Sequence, residues 1–207
     1  MKILFDHQTF SLQKYGGISR YFANLIKGIN KSGNSYGYIT SLFSENEYIK
    51  GEPLALNNPV GQKIFKNKPR RMYNWNRRFS RWSLRLRNFD VFHPTYYDPY
   101  FIKYLRKPCV ITVHDMVHEL QPQYFADAED VITRKKKVME RANLIIAISE
   151  HTRQEIITVY PHLQDKIRVV HHGYLGLSSQ AEPDHSLPTN TSCLWESAGI
   201  TKIFPCL

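Results

Sequence analysis

Residues that could bind a ligand follow four short apolar runs of this sequence. The pair Gly16-Gly17 follows the first run, KILFD, and glycine amides at a helix start can approach an anion closely. Histidines follow the three later runs, where an imidazole can donate or accept hydrogen bonds. These histidines are His93, His114 with Asp115 beside it, and the pair His171-His172. Strand ends are polar in most proteins, so one such histidine alone is weak evidence for a ligand.

The apolar runs indicate the strands that would position these residues. They are residues 2–6, 90–92, 110–113, 144–148 and 167–170, and residues 36–43 suggest a further strand. Helical patterns lie between several of them. This alternation predicts an α/β fold, a Rossmann-like parallel sheet with helices on both faces. Ligands of such sheets bind beyond the carboxyl ends of the strands, which is where the glycines and histidines lie.

The helical patterns have recognisable ends. From Ile18 onward, apolar residues recur at helical spacing, and Gly33 stands where a C-terminal cap is expected. Two further helical patterns lie near residues 127–142 and 150–160. Ser149 is predicted to be the N-cap of the second, with no role in ligand binding.

The composition indicates a folded protein of a reducing compartment. Of the 207 residues 42% are hydrophobic, which is enough for a packed core. No apolar run reaches the roughly eighteen residues of a membrane-spanning helix, and Asp6 interrupts the amino terminus before a signal sequence can form. We therefore expect a cytoplasmic protein. The 3 cysteines form no CxxC pair, which argues against a disulfide framework and a zinc site.

The net charge of +10 comes from one segment. Ten of the 28 basic residues, and no acidic one, lie between Lys63 and Arg87, and the other 18 equal the 18 acidic residues in number. Within this segment the large apolar residues recur at helical spacing: Trp75, Phe79, Trp82 and Leu86. The segment is therefore predicted to form a basic amphipathic helix with aromatic anchors.

This helix has three possible roles. It can contact an anionic membrane or an acceptor, and the predicted contact residues are Arg77, Arg78, Arg81, Trp82 and Arg85. Alternatively, the aromatic side chains pack into the domain and the arginines are solvated. A nucleic-acid groove would also combine arginine with aromatic residues, but no nucleic-acid motif appears elsewhere. Nucleic acid is therefore not expected as a partner.

Five segments stand in order along the chain: YGGISRYFANLI, DVFHPTYY, VITVHDMVHEL, ERANLIIAIS with the following EHTRQEI, and IRVVHHG. Together they resemble the amino-terminal half of group 1 (family 4) glycosyltransferases with the two-domain B-type fold. The resemblance covers residues 1 to about 174 and implies one Rossmann-like domain that binds the acceptor. In this family a second domain binds a nucleotide sugar, and transfer in the cleft retains the anomeric configuration.

The resemblance also implies roles for individual residues. Gly16-Gly17 matches the family's glycine loop, which approaches the donor pyrophosphate, and Arg20 would add positive charge there. His114 matches the histidine that lines the sugar site and is the first catalytic candidate. Asp115 is expected to orient it or to cap a helix, because in the family the leaving phosphate accepts the acceptor proton. No metal and no cofactor are expected, since the nucleotide sugar is a substrate.

The implied partners are a nucleotide sugar and a glycan or lipid-linked acceptor. Many family members glycosylate such acceptors at the cytoplasmic face of the membrane, in polysaccharide or lipopolysaccharide biosynthesis. We therefore expect a cytoplasmic protein that can lie peripherally on the inner face of the cell membrane. The face that would meet a second domain could also support a dimer.

The sequence departs from the family after residue 174. Residues 175–207 are predicted to be a polar linker and an irregular tail, and no donor-binding half is recognisable there. Shifting the reading frame by one base at Asn190 turns the codons of Trp195 and Glu196 into a glycine within a stretch that resembles the start of the donor domain. We therefore expect a truncated gene product whose tail from Thr191 is out of frame.

Two functions of different classes follow from these observations. The first is the acceptor-binding half of a retaining glycosyltransferase, expected to be inactive alone because catalysis needs donor and acceptor held together. The second is a non-catalytic, membrane-peripheral module that binds a glycan or lipid, or that pairs with a separately encoded donor domain.

Overall fold

The computed structural model describes residues 1–86 and 88–173, together with the backbone of residues 192–197 and 200–205. Met1–His172 and Gly173–Leu207 are two separate compact units. The strands of the first unit are β1 (Lys2–Asp6), β2 (Tyr36–Thr40), β3 (Val91–His93), β4 (Val110–Val113), β5 (Leu144–Ala147) and β6 (Ile167–Val169). Its helices are α1 (Gln8–Leu12), α2 (Gly17–Ser32), α3 (Pro59–Phe65), α4 (Pro69–Leu86), α5 (Val117–Leu120), α6 (Ala128–Arg141) and α7 (Glu150–Val159). Short 3-10 helices lie at Glu47–Ile49, Pro99–Phe101, Pro122–Tyr124 and Pro161–Lys166.

The strands of the first unit form a parallel sheet. β1 lies between β2 and β3, and β5 lies between β4 and β6. A parallel bridge between Phe92 and Cys109 joins the two halves. The strand order is therefore β2-β1-β3-β4-β5-β6, and all carboxyl ends lie at one edge. This confirms the predicted Rossmann-like α/β fold.

Both faces of the sheet are covered. Leu4 and Phe5, neighbours on β1, are fully buried but belong to different hydrophobic cores. Successive side chains of a strand point to opposite faces, so one core lies on each face. Phe22 and Ile26 of α2 share the core of Phe5, whereas Val138 of α6 shares the core of Leu4. Helices therefore pack on both faces, as predicted.

The predicted helix ends are confirmed at two places. Gly33 ends α2 with a φ of 73°, the left-handed conformation that glycine adopts at lowest cost. Ser149 begins α7, where its hydroxyl accepts a hydrogen bond from the backbone N–H of Thr152 at 3.1 Å. Each cap lies close to the end of a strand, Gly33 before β2 and Ser149 after β5. The two caps therefore help to fix the loops at the edges of the sheet.

The second unit contains two further strands, β7 (Ser192–Ser197) and β8 (Ile200–Pro205), which pair antiparallel. They are rich in residues with high strand propensity, such as isoleucine, threonine and tryptophan. These two stretches differ from the irregular backbone expected for the tail. The frame shift at Thr191 and the domain boundary at residue 174 stay predictions. The other residues from position 174 onward lie outside the described part of the chain.

Candidate functional site

Two of the predicted histidines meet at the carboxyl edge of the sheet. His114 follows β4 and His172 follows β6, and their ring centroids are 5.5 Å apart. The ring of Tyr21 on α2 contacts both, with centroid distances of 5.3 Å to His114 and 4.6 Å to His172. His171 is exposed beside them. The helical pattern placed Tyr21 only in the apolar stripe of α2, so its contact with the histidines was not predicted.

His114 carries an unpaired ring nitrogen. Its Nε2 is buried and has no hydrogen-bond partner among the residues that the structure describes. Burial, with smaller effects of His172 and Lys135, lowers the pKa of His114 to about 4, although Asp115 opposes the shift. The ring is therefore neutral at physiological pH, and Nε2 can donate a hydrogen bond to a ligand or accept one from it.

His93 lies under the site and contacts residues that position it. It is buried at the end of β3, where its Nε2 lies 3.0 Å from the hydroxyl of Thr112. That hydroxyl is also 3.5 Å from the hydroxyl of Tyr21. The His93 ring stacks on Phe5 with a centroid distance of 5.3 Å. His93 therefore links β3, β4 and α2, and its contacts are those of a structural residue.

The Gly16-Gly17 pair forms the start of α2, one helical turn before Tyr21. Gly16 is the N-cap and has no side chain to pair with the free amides of the first turn. A Cβ atom on Gly17 would meet no protein atom within 4 Å, so the start of α2 is open to solvent at this residue. Arg20 is exposed on the next turn. This arrangement suits an anion, and the predicted role of the three residues stays a prediction.

Asp115 follows His114, and its described hydrogen bonds stabilise the local backbone. Its Oδ1 accepts a hydrogen bond from the backbone N–H of Val117, at the start of α5, at 3.4 Å. Its carbonyl accepts another from the buried amine of Lys135 at 2.5 Å. The same amine lies 3.0 Å from the Oε2 of Glu119. This buried ion pair, which the sequence did not indicate, fixes the turn that carries His114.

A buried polar cluster at the end of β1 was also missed. Asp6 is fully buried and accepts hydrogen bonds from the backbone N–H of Thr95 at 2.9 Å and from the hydroxyl of Tyr100 at 3.1 Å. The side-chain amide of Gln8 donates to it at 2.7 Å. Burial raises the pKa of Asp6, and the hydrogen bonds from Thr95 and Gln8 oppose that effect. The cluster ties the loop after β1 to the loop after β3, and the only sequence signal was a polar pair, Asp6-His7, directly after KILF.

The basic helix is α4, and its inward and outward faces are clear. The inward face consists of Met72, Asn76, Ser80 and Leu84. Two of the aromatic anchors are exposed, Trp75 at 44% and Trp82 at 54%, although the edge of the Trp75 ring also contacts Phe65. The alternative in which the aromatic residues pack into the domain is therefore wrong for these two tryptophans.

The predicted arginines of α4 divide into two groups. Arg77 pairs with Asp98 at 3.4 Å, and the guanidinium groups of Arg81 and Arg85 lie over the ring of Tyr104. Arg78 is exposed beside Trp82. Arg87, which belongs to the same basic segment, lies outside the described residues. The structure therefore does not bring all of the predicted contact residues onto one surface.

The buried histidines predict a fold that loses stability in acid. Burial lowers the pKa of His7 and His93 to about 3 and that of His114 to about 4. The unfolded chain takes up these protons below a pKa of about 6.5, whereas the folded chain does not. Stability is therefore present above about pH 6.5 and falls toward pH 4, by about 1.4 kcal/mol per pH unit for each histidine.

Urea unfolding at a series of pH values measures this dependence. His93→Phe keeps an aromatic ring next to Phe5. It removes one histidine that takes up a proton on unfolding, so the free energy of unfolding should depend less steeply on pH, by about 1.4 kcal/mol per pH unit. The control is His151→Ala, because the His151 side chain is 83% exposed. A stability that is constant between pH 7 and about pH 5 would contradict the prediction.

Neither a metal site nor a membrane-spanning helix is found in the part of the chain that the structure describes. Over those residues, no group of three or more His, Cys, Asp and Glu side chains is arranged to bind a metal ion. The search for spanning helices covered the same residues, and none is long and apolar enough to cross a bilayer.

Comparison with known proteins identifies the family. The family model described as Glycosyltransferase Family 4 matches residues 15–174. This range begins just before the glycine pair, includes the His114 site and ends beyond β6. A search of curated proteins gave no match. With more than half of its residues covered by one family model, this chain belongs to glycosyltransferase family 4.

Proposed function

We propose that this domain takes part in the transfer of a sugar from a nucleotide-sugar donor to a glycan or lipid-linked acceptor, with retention of anomeric configuration. The observation that carries the proposal is the Nε2 of His114, which has no hydrogen-bond partner among the described residues and whose ring contacts Tyr21, one helical turn after the start of α2. A neutral imidazole and a set of unpaired helix amides can together hold a sugar and its phosphate.

The proposed reaction assigns a part to each of these groups. The amides at Gly16-Gly17 hold the donor diphosphate, and Arg20 adds positive charge at the entrance. His114 hydrogen-bonds the donor sugar next to the reacting carbon. The bond between the anomeric carbon and the phosphate oxygen breaks, and a bond to the acceptor oxygen forms on the same face. The acceptor hydroxyl gives its proton to the leaving phosphate.

Transfer also requires a domain that holds the nucleotide. The described residues of the first unit form one Rossmann-like sheet, whose carboxyl edge carries the groups assigned above. We propose that this domain binds the acceptor and is inactive until a donor-binding domain closes over that edge. Bringing two reactants together in this way removes most of the entropic cost of a bimolecular reaction.

A transfer assay with a panel of labelled nucleotide sugars tests this proposal. It compares the purified chain with a version continued in the shifted reading frame predicted from Asn190 onward. Transfer by the continued version alone is the expected result. Transfer by neither version would overturn the enzymatic function, and transfer by the short chain would overturn the need for a second domain.

We propose in addition that α4 contacts an anionic membrane surface, in keeping with a lipid-linked acceptor in cell-surface polysaccharide or lipopolysaccharide biosynthesis. Trp75 and Trp82 are exposed seven residues apart, so they lie on one side of the helix. Two exposed arginines follow the same spacing next to them, Arg71 and Arg78. Indole rings suit the headgroup layer, and the arginines complement anionic lipids.

Vesicle sedimentation measures this contact. The chain is expected to bind vesicles that contain phosphatidylglycerol and not vesicles of phosphatidylcholine alone. Trp82→Ala should weaken binding about tenfold, because the indole loses its buried apolar area in the lipid. Tyr124→Ala is the control, since Tyr124 is 68% exposed and lies outside α4. Equal binding to both vesicle types, or no effect of Trp82→Ala, would contradict the proposal.

A further inference from the structure

A cavity of about 530 Å³ lies between α4, the loop after β3 and α6. This volume is in the range of small-molecule sites. Its walls combine aromatic rings with charged groups, and the residues that matter here are Tyr73, Arg77, Tyr96, Tyr97, Asp98 and Asp127. The sequence did not predict any of them as a cavity residue. Only Arg77 was singled out, as a surface contact residue of the basic helix. The cavity is therefore a separate feature from the site around His114.

The cavity adjoins the turn that carries His114. Tyr97 lines the cavity and lies 5.3 Å, measured to its ring centroid, from the amine of Lys135. That amine donates to the carbonyl of Asp115. Tyr96 lines the cavity beside Tyr97, and burial, together with the carboxylates of Asp115 and Asp127, raises the pKa of its hydroxyl. A ligand in the cavity would therefore lie next to the His114 site.

The charges of the cavity disfavour an anion. The carboxylate of Asp98 accepts a hydrogen bond from the hydroxyl of Tyr73 at 2.8 Å and pairs with Arg77 at 3.4 Å. Asp130 pairs with Arg134 at 2.6 Å at the rim. Both guanidinium groups are thus already neutralised by carboxylates. Asp127, exposed and without a capping hydrogen bond to α6, adds a negative charge.

The remaining groups suit a sugar without charge. The rings of Tyr96 and Tyr97 are 4.8 Å apart and form an aromatic wall against which the apolar face of a pyranose can pack. The carboxylate of Asp127 can accept hydrogen bonds from sugar hydroxyls, and such charge-assisted bonds are the stronger ones. Arg77 also lines the cavity, and its N–H groups that are not paired with Asp98 can donate to sugar hydroxyls.

We infer that this cavity binds an uncharged sugar ring of the acceptor, which packs on Tyr96 and donates hydroxyl hydrogen bonds to Asp127. The inference rests on the proposed function, because it names the class of acceptor that the enzyme would use. It assigns the acceptor sugar to the space between α4, the loop after β3 and the start of α6. Acceptors whose terminal sugar carries a phosphate or a carboxylate are excluded by the charges of the cavity.

Saturation-transfer NMR on the full chain tests the inference with a panel of methyl glycosides. The panel contains neutral hexosides and N-acetylhexosaminides, with a uronide and a hexose phosphate as charged members. At least one neutral glycoside is expected to bind saturably, and the charged ones are not. Tyr96→Ala and Asp127→Ala should each weaken that binding about tenfold, as the loss of a ring contact or of a charge-assisted hydrogen bond predicts. The matched controls, Tyr36→Ala on β2 and Asp165→Ala near β6, should leave it unchanged.

The outcomes separate this inference from the proposed function. Three results would overturn the cavity assignment: no binding by any neutral glycoside, preference for a charged one, or binding by the Tyr96→Ala and Asp127→Ala variants as tight as that by the unchanged chain. None of these results depends on a donor or on transfer. Absence of transfer would overturn the proposed function and leave glycoside binding to the cavity in place.

Discussion

Lys135→Met is expected to lower the free energy of unfolding by about 3–5 kcal/mol, because it leaves an unpaired charge in the core. The side chains of Lys135 and Glu119 are 1% and 2% exposed, and their charged atoms are 3.0 Å apart. The amine of Lys135 also donates to the carbonyl of Asp115. With methionine in its place, the Glu119 carboxylate and that carbonyl would both lose their partner. Urea unfolding at neutral pH measures the loss.

Two further variants isolate the cause. Lys136→Met is the matched control, since Lys136 is the next residue on α6 and its pair with Glu140 is 3.9 Å long and half exposed. Its effect should stay within about 0.5 kcal/mol. The double variant Lys135→Met with Glu119→Leu removes both charges and should recover most of the stability. Equal losses for Lys135→Met and Lys136→Met would refute the role of the buried pair.

This ion pair also shows where sequence reasoning ends. Lys135 belongs to a run of three lysines on α6, and such a run is typical of a solvated helix face. Which of the three enters the core depends on how α6 is rotated against the sheet. It also depends on Glu119, which lies 16 residues away on α5. Neither the rotation of α6 nor the position of Glu119 follows from local periodicity, so the ion pair could not be predicted from the sequence.

The strands and the longer helices were predictable because each has a local signal. Parallel strands buried on both faces are short apolar runs, and α2 combines a helical apolar stripe with Gly33 at its end. These elements placed His114 and His172 at the correct edge of the sheet. Their contact through Tyr21 was not predictable, because it depends on the distance between α2 and β4.

The orientation of α4 was left open for a related reason. Hydrophobicity alone would direct its tryptophans inward, yet Asn76 and Ser80 occupy the inward face. The Asn76 side chain accepts a hydrogen bond from the backbone N–H of Leu42 at 2.8 Å and donates one to the carbonyl of Phe43 at 2.8 Å. The hydroxyl of Ser80 donates to the carbonyl of Thr40 at 2.9 Å. Polar residues thus face inward because they satisfy the backbone at the end of β2, which apolar side chains could not do.

His114→Ala is expected to lower kcat for sugar transfer by about 10²–10³-fold, the usual effect of removing one hydrogen-bond donor from a developing charge. Its Nε2 is the buried ring nitrogen that no described protein group occupies. The measurement uses the chain continued in the shifted frame, with saturating donor. Because the pKa of His114 is lowered to about 4, the ring stays neutral in the assay, so the pH profile of kcat should show no step from His114 above about pH 5.

Conservative variants distinguish a catalytic role of Nε2 from a packing role of the ring. The amide nitrogen of glutamine can reach the position of Nε2, whereas the shorter asparagine cannot, so His114→Gln should retain more activity than His114→Asn. Both variants lose the ring contact with Tyr21, so the loss of that contact cannot account for a difference between them. His118→Ala is the control, because His118 lies four residues further on, against Phe125. Equal activities of the glutamine and asparagine variants would show that the ring only packs, and Nε2 would then have no part in the reaction.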